Sequence, residues 1–182
     1  ISHLVYSGRG KDNLEIDISK EQRRKYVEFI IDKAFEYYKN GNNIDLVTGN
    51  MEMDAIVLLD RFQKEYPDFV ETLEQKLKDW GGNSAGHRLG NMDWAGNVKP
   101  DPFFPFVVGN YLQTPFDEIW TSSKNDILNK LREHPRQIKG RCAQCKYIEI
   151  CNGGSRSRAF AISGDLWEED PSCYLTLEET RR

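Results

Sequence analysis

The four cysteines of this chain have spacings that suit a metal centre. Three of them fall within ten residues and the fourth comes from a later segment: Cys142, Cys145, Cys151 and Cys173. Four sulfur ligands at one point suit a structural zinc ion or a 4Fe–4S cluster. The same residues could form two disulfide bonds, but no secretory signal is visible, and reducing compartments keep thiols free. The pattern therefore favours a metal or a cluster over disulfides.

The spacing of the cysteines departs from that of a zinc ribbon. Zinc ribbons usually present two Cys-x2-Cys pairs, whereas this chain has one pair, followed by Cys151 and an isolated Cys173. Five basic residues lie near the thiols in the sequence: Lys139, Arg141, Lys146, Arg156 and Arg158. A 4Fe–4S cluster bound by four thiolates carries a net negative charge, so nearby cations would favour its binding and raise its reduction potential. Zinc stays open as the alternative occupant.

Length and composition restrict the class of protein. The 182 residues suffice for one medium domain and a small metal-stapled one. The net charge of -4 argues against a nucleic-acid partner, since such proteins usually carry a basic surface. No stretch approaches the roughly 18 apolar residues that predict a membrane span, so we expect no membrane partner and a cytoplasmic location. The chain begins at Ile1 rather than Met, which suggests a fragment of a longer protein.

Short strands and amphipathic helices are predicted to alternate in the first part of the chain. The predicted elements are strands at 3–6 and 44–48 and helices from Ser19 to Gly41, at 53–65 and at 69–80. Ser19 and Gln22 form a capping-box signature, and apolar residues recur at helical spacing behind them. This order predicts βα units of a parallel α/β layer. Two such units cannot close a barrel, so the remaining strands are expected upstream of Ile1.

The character of the chain changes after residue 80. A glycine-rich loop at 81–86 leads into two short predicted strands, 87–93 and 97–99, joined as a hairpin near Gly96. Three prolines then disfavour regular structure. Short helices are predicted further on, at 116–120, 125–132 and 156–161. We therefore predict an α/β to α+β fold with two domains, parallel βα units at 1–80 and a small cysteine-rich domain with a β-hairpin at 81–182.

The cysteine segment resembles a known iron–sulfur domain. Its sequence, CAQCKYIEICNGG from Cys142 and then DPSC ending at Cys173, is similar to the SPASM domain of radical SAM enzymes. That domain follows a partial (β/α) barrel and carries auxiliary clusters. Cysteines stand at all four positions of its outer cluster, so the resemblance implies a 4Fe–4S cluster on Cys142, Cys145, Cys151 and Cys173. It also implies that 1–80 are the last units of a partial barrel.

The inner cluster of the SPASM pattern is not matched by this chain. Asp101 and Ser155 stand at two of its cysteine positions, and no cysteine precedes Gly96. The resemblance therefore implies a single auxiliary cluster.

A narrower resemblance lies in stretches far from the cysteines. Residues 3–10, 90–101 and 139–142 read HLVYSGRG, GNMDWAGNVKPD and KGRC. They are similar to the NirJ and AhbC group, radical SAM enzymes of haem biosynthesis that remove propionate or acetate side chains from didecarboxysirohaem. The resemblance implies a tetrapyrrole substrate and an electron-donor protein such as a ferredoxin.

The same resemblance implies a reaction that this chain cannot perform alone. Radical SAM enzymes bind S-adenosylmethionine at a cluster held by Cys-x3-Cys-x2-Cys, and that motif is absent here. S-adenosylmethionine and a second 4Fe–4S cluster are expected in a missing N-terminal part. This chain is then the C-terminal part of an enzyme and inactive by itself. Its own cluster could relay an electron or act as a structural staple.

Four polar residues outside the cysteines are candidate contacts for S-adenosylmethionine or the tetrapyrrole. Arg9 lies between two glycines at the end of a predicted strand, where it could meet a carboxylate. His87 and Arg88 lie in the segment that leads to the hairpin and could face the same cavity. Asp101 occupies the place of a lost cluster ligand. The alternative for each is an exposed or hydrogen-bonded polar residue, and for Asp101 a turn between prolines.

Two other functions stay open at this point. A stand-alone module stapled by zinc would serve interaction rather than catalysis. A SPASM enzyme acting on a peptide would share the cysteine pattern, although the missing inner-cluster cysteines and the stretches shared with the haem group weigh against it.

Overall fold

The computed structural model describes residues 1–49 and 51–181, with the side chains of Gly8 and Arg9 outside the description. The described residues form eight α-helices and one small antiparallel sheet. The helices are α1 (Lys20–Lys39), α2 (Asp54–Glu65), α3 (Val70–Trp80), α4 (Phe116–Thr121), α5 (Asp126–Arg132), α6 (Ile148–Cys151), α7 (Arg156–Ser163) and α8 (Leu177–Thr180). The strands are β1 (Asn91–Met92), β2 (Asn97–Lys99) and β3 (Gly109–Asn110), and 3-10 helices cover Gly8–Ile16, Pro67–Phe69 and Gly140–Gln144. The mixed character predicted from the sequence is confirmed at this level.

The first long helix, α1, begins and ends as its sequence predicts. The Gln22 backbone N–H donates to Ser19 Oγ at 3.2 Å, and the Ser19 N–H donates to Gln22 Oε1 at 2.9 Å. These two bonds satisfy donors that the first helical turn leaves without partners. The helix ends at Lys39, and Gly41 follows with φ of 70°. The helices predicted at 53–65 and 69–80 are confirmed as α2 and α3.

The prediction of strands at 3–6 and 44–48 is wrong. A single parallel bridge between Ser2 and Gly49 stands in their place. The His3 N–H donates to the Gly49 carbonyl at 3.0 Å, and the Gly49 N–H donates to the Ile1 carbonyl at 3.0 Å. Parallel strands are stable when other strands and helices cover them, and the described residues supply no further strand beside this pair. The parallel direction agrees with a βα unit whose crossover is α1.

The small sheet contains the predicted hairpin and one strand more, but the strand predicted at 87–93 is shortened to Asn91–Met92, because the chain turns at 86–88. β1 pairs with β2 in antiparallel register, Asn91 opposite Lys99 and Met92 opposite Val98. β3 adds to the other edge of β2, with Val98 opposite Gly109. The strand β3 was not predicted, because a two-residue strand is too short to show the alternation of apolar and polar residues that indicates a strand.

The main hydrophobic core joins the long helices to the cysteine segment. Buried Val27 of α1 and Ile56 of α2 pack in one cluster with Ile150, Tyr174 and Leu175. The sulfur-bearing side chains of residues 151 and 173 are partly buried against the same cluster. A division into domains at residue 80 stays a prediction, and the shared core fixes the cysteine segment firmly on α1–α3.

We expect the capping box to contribute measurably to this frame. Replacing Ser19 by Ala removes the acceptor for the Gln22 N–H and should lower the free energy of unfolding by about 1 kcal/mol. Urea denaturation followed by circular dichroism measures the loss. Ser123→Ala is the control, because that serine is exposed and lies outside any helix. Equal losses in the two variants would contradict the role of the cap.

Candidate metal centre

The four cysteines line one small cavity, here called the thiol cavity. Its other walls are largely apolar and include Met53, Tyr147, Ile148 and Leu175, with Arg141 and Asp170 as charged residues. None of the four cysteines forms a disulfide bond. The structure thus brings together the complete sulfur set that the sequence predicted, from two segments of the chain.

Tight backbone turns place the first three thiols. The Cys145 N–H donates to the Cys142 carbonyl at 3.2 Å, and the Cys151 N–H donates to the Tyr147 carbonyl at 2.9 Å in α6. The chain then reverses through Asn152, Gly153 and Gly154, all with positive φ. A side chain on Gly154 would lie 2.6 Å from Asp170 Oδ2, so only glycine fits there.

Asp170 fixes the fourth thiol against the first three. Its carboxylate accepts the backbone N–H groups of Ser155 at 2.8 Å and Ser172 at 3.0 Å, and it pairs with Arg158 at 2.7 Å. The Cys173 N–H donates to the Asp170 carbonyl at 3.0 Å. Burial alone would raise the pKa of Asp170, but Arg158 and the two N–H donors hold this pKa below its ordinary value. One carboxylate therefore ties the loop after residue 151 to the segment that carries Cys173.

The surroundings of the thiols keep them neutral until a cation arrives. Burial raises the pKa of Cys142 to about 12, and burial likewise raises the pKa of Cys151 and of Cys173. Metals bind the thiolate form, so a bound metal or cluster must supply the positive charge that ionises these groups. One buried and three partly buried cysteines around one cavity fit such a group.

A zinc ion and a 4Fe–4S cluster require different spacings of four thiols. No three His, Cys, Asp or Glu side chains among residues 1–49 and 51–181 are arranged to hold one metal ion. A tetrahedral zinc ion with bonds of about 2.3 Å requires its sulfurs about 3.8 Å apart. A 4Fe–4S cluster places irons and sulfides between its thiolates and so requires wider spacing around a common cavity. Cys142, Cys145, Cys151 and Cys173 would be its ligands.

The structure separates the five cations that lie near the thiols in sequence. Arg141 lies in the wall of the thiol cavity, where its Nε donates to Glu169 at 3.0 Å. Arg158 is fully buried in its pair with Asp170. Lys139 and Lys146 are exposed, whereas Arg156 is 1% exposed and directly behind the loop after Cys151. Only long-range contacts distinguish these roles.

The molecule has a large cleft with walls from α1 and α2, and the candidate substrate contacts His87 and Arg88 lie outside it. His87 is exposed, and Arg88 donates to the Asp79 and Trp80 carbonyls at 2.6 Å and 2.5 Å, where it holds the end of α3. Neither lines the cleft. Arg9 belongs to the first 3-10 helix, and its side chain lies outside the described part of the structure.

Asp101 lines that cleft, which has a volume of about 720 Å³ and apolar walls from α1 and α2. It is 8% exposed, its Oδ1 accepts the Phe103 N–H at 2.7 Å, and burial raises its pKa. Ser155 lines the same cleft and caps α7. The two residues that replace inner-cluster cysteines therefore face one common space.

Sequence reasoning missed two acidic residues of the cleft. Asp54 accepts hydrogen bonds from Tyr174 Oη at 2.6 Å and pairs with His3 at 2.9 Å. Glu52 accepts from Asn83 Nδ2 at 2.8 Å. The available signal was the alternation of acids and methionines at 51–54, immediately before an amphipathic helix.

Comparison with curated proteins finds relatives along nearly the whole chain. Pre-heme d1 synthase of Dinoroseobacter shibae is 40% identical over 183 residues, covering 99% of this chain and 45% of that protein. Fe-coproporphyrin III synthase of Methanosarcina barkeri is 35% identical over 181 residues, covering 97% of this chain and 45% of that protein. AdoMet-dependent heme synthase of the same species is 41% identical over 78 residues, covering 43% of this chain and 21% of that protein.

These names confirm the predicted resemblance to haem-biosynthesis enzymes. The chain spans less than half the length of the curated relatives it matches. No protein-family model and no solved structure matches the chain.

We predict that each thiol is needed for iron. Replacing Cys151 or Cys173 by Ala removes one of four ligands and should reduce the iron retained after anaerobic reconstitution from about four per chain to under one. Iron and sulfide assays, with absorption near about 400 nm, measure the loss. Asp101→Asn is the control and should keep its iron, because Asp101 lines the cleft and not the thiol cavity. A full cluster in the Cys173 variant would exclude this ligand set.

We also predict that Asp170 contributes stability that depends on pH. Asp170→Asn leaves Arg158 buried without its partner and should lower the free energy of unfolding by about 3–5 kcal/mol at pH 7. The folded-state pKa of Asp170 is depressed, so its contribution is present above the unfolded value of about 3.9 and is lost as pH falls below it.

Denaturant titrations between neutral and acid pH measure that difference. Lys139→Met is the matched control, because it breaks an exposed pair with Asp165, and such pairs contribute little. A difference between Asp170→Asn and the parent chain that persists unchanged at low pH would contradict the prediction.

Proposed function

We propose that this chain is the auxiliary-cluster portion of a larger, S-adenosylmethionine-dependent radical enzyme that removes side chains from a sirohaem-derived tetrapyrrole in haem biosynthesis. The observation that carries the proposal is that four cysteines without disulfide bonds line one small cavity. The similarity to pre-heme d1 synthase and Fe-coproporphyrin III synthase along nearly the full chain supports the substrate class.

The helical part is proposed to be the last βα units of a partial barrel. The parallel bridge between Ser2 and Gly49, with α1 as the crossover, supports this reading. Exposed apolar side chains along the same segment, Ile44 at 53% and Val47 at 69%, are suited to packing against further strands of a longer protein. The rest of that longer protein would hold S-adenosylmethionine and a second cluster. An electron donor such as a ferredoxin would reduce the second cluster.

The large cleft is the proposed place of the tetrapyrrole. Its apolar walls suit a flat macrocycle, and its buried carboxylates, Asp101 and Asp54, can accept hydrogen bonds or hold a proton near a substrate side chain. The cleft and the thiol cavity share a wall, because Gly82 of the cleft lies directly against the backbone of Cys151. A substrate in the cleft would therefore lie beside the thiol site.

A cluster on the four thiols would supply a one-electron acceptor close to the substrate. After abstraction of a hydrogen atom, departure of a closed-shell side-chain fragment would leave one unpaired electron on the substrate, which an oxidised cluster could accept. Cys142, Cys145, Cys151 and Cys173 would hold that cluster beside the cleft.

None of the helices in the described residues is long and apolar enough to cross a membrane.

The proposal is tested with the longer protein, its clusters reconstituted anaerobically, incubated with S-adenosylmethionine, dithionite and didecarboxysirohaem. Mass spectrometry should detect a tetrapyrrole that has lost side-chain mass. Asp101→Asn should lower the turnover rate at least tenfold, about 1.4 kcal/mol of transition-state stabilisation, because it changes a buried carboxylate of the cleft.

His87→Gln serves as the control for this experiment, since His87 is exposed and does not line the cleft. Turnover of a peptide, with none of the tetrapyrrole, would reject the substrate class. Stoichiometric zinc without iron in the reconstituted chain would favour an interaction module instead.

A further inference from the structure

Arg156 is buried without an acidic partner among the described residues. It is 1% exposed, and its guanidinium donates only to backbone carbonyls. Nη1 donates to Leu166 O at 2.7 Å and Glu168 O at 2.6 Å, Nε to Gly154 O at 3.4 Å, and Nη2 to Gly153 O. These bonds satisfy the donors, but no carboxylate binds the guanidinium directly, and Asp170 and Glu52 act on it only through space.

Arg136 repeats this situation on the other side of the loop after Cys151. It is 2% exposed and donates to the carbonyls of Leu131 at 2.8 Å and Asn83 at 2.9 Å, while its Nη1 has no partner in the described part of the chain. Its backbone N–H binds Asn152 Oδ1 at 2.7 Å. The loop after Cys151 is therefore bound by the guanidinium of Arg156 and by the backbone of Arg136.

The other buried or half-buried arginines near the thiols are neutralised. Arg158 pairs with Asp170 at 2.7 Å, and Arg141 pairs with Glu169 at 3.0 Å. Glu52 acts on Arg156 and Arg136 through space, but its hydrogen bond goes to Asn83. A buried charge is costly unless opposite charge lies close by, so both guanidinium groups favour additional negative charge in their surroundings.

The thiol cavity is where that anion would form. Gly153, whose carbonyl accepts from Arg156, lines the cavity, and a Cβ placed on Gly153 would lie 3.3 Å from Arg156 Nη2. Burial lowers the pKa of Arg156, and negative charge on Asp170, Cys142 and Cys151 acts in the opposite direction. Four thiolates around a cluster would supply such charge.

We propose that Arg156 is the buried counter-charge of the cysteine-bound cluster and raises its reduction potential. The inference rests on the proposed function and names the residue that tunes it. One-electron reduction makes an already anionic cluster more negative, so a fixed positive charge stabilises the reduced form more than the oxidised form. Removing that charge lowers the potential.

The test is a redox titration with dithionite of the chain carrying its reconstituted cluster, followed by electron paramagnetic resonance. Arg156→Gln should make reduction at least tenfold less favourable, a downward shift of about 59 mV for one electron. Arg156→Lys, which keeps the charge, should stay near the parent value. Arg132→Gln is the matched control, because Arg132 also donates to carbonyls, those of Gly86 at 2.9 Å and Trp120 at 2.6 Å, but makes no such bond to the loop after Cys151.

A second variant, at the acidic partner of Arg141, should shift the reduction potential in the opposite direction. Glu169→Gln keeps an acceptor for Arg141 and removes the acid that neutralises it, so the potential should rise. Glu169 is 32% exposed, and the variant is expected to fold. If Arg156→Gln folds but loses the cluster while Arg156→Lys retains it, the need for the charge is supported.

Two results overturn the inference. If cluster-loaded Arg156→Gln has the same reduction potential as the Arg132→Gln control, Arg156 does not tune the cluster. If Glu169→Gln leaves the reduction potential unchanged, charges around the cavity do not control it. Failure of the parent chain to take up iron at all is a separate result, which rejects the proposed function and the inference with it.

Discussion

The buried ion pair between Arg158 and Asp170 is the interaction on which the cysteine region depends. Both side chains are almost completely inaccessible, and removing two charges from water is costly unless every lone pair is used. Here the carboxylate also accepts the N–H groups of Ser155 and Ser172. The pair therefore contributes mainly geometry, because it brings two chain segments to one point and sets Cys173 opposite the other thiols.

The main hydrophobic core connects the cysteine segment to the long helices. Leu175, in the wall of the thiol cavity, and Ile150, next to Cys151 in the sequence, pack with Val27 and Ile56 of the long helices. The cleft between these helices and the hairpin region shares the Cys151 loop as its wall. A group held in the cleft and a group held by the thiols would be separated by a few backbone atoms. A charge held in the cleft would therefore change the electrostatic potential at the thiol cavity, and the reverse.

Sequence predicted those features that depend on local chemistry. The Ser19 cap, the periodicity of α2 and α3 and the cysteine spacing all act within a few residues. The strands at 3–6 and 44–48 failed because a strand needs partners along its length, and α6 and α8 are too short for a periodic signal. The five cations looked alike in sequence, since only the fold brings Asp170 to Arg158 and leaves Arg156 without an acid.

The packing bears on whether a bound cluster would act as a staple or as a relay. A staple is needed where a segment lacks apolar mass of its own, and the sequence suggested such a tail. The structure instead buries Ile148, Ile150, Tyr174 and Leu175 around the thiols. Closure of the segment is therefore largely achieved by the core and Asp170. Arg156 contributes to this closure, because it bonds to the Gly153 carbonyl and to the Leu166 and Glu168 carbonyls. Its buried charge would in addition stabilise a neighbouring centre that becomes more negative on reduction, which is the observation that favours the proposed relay role.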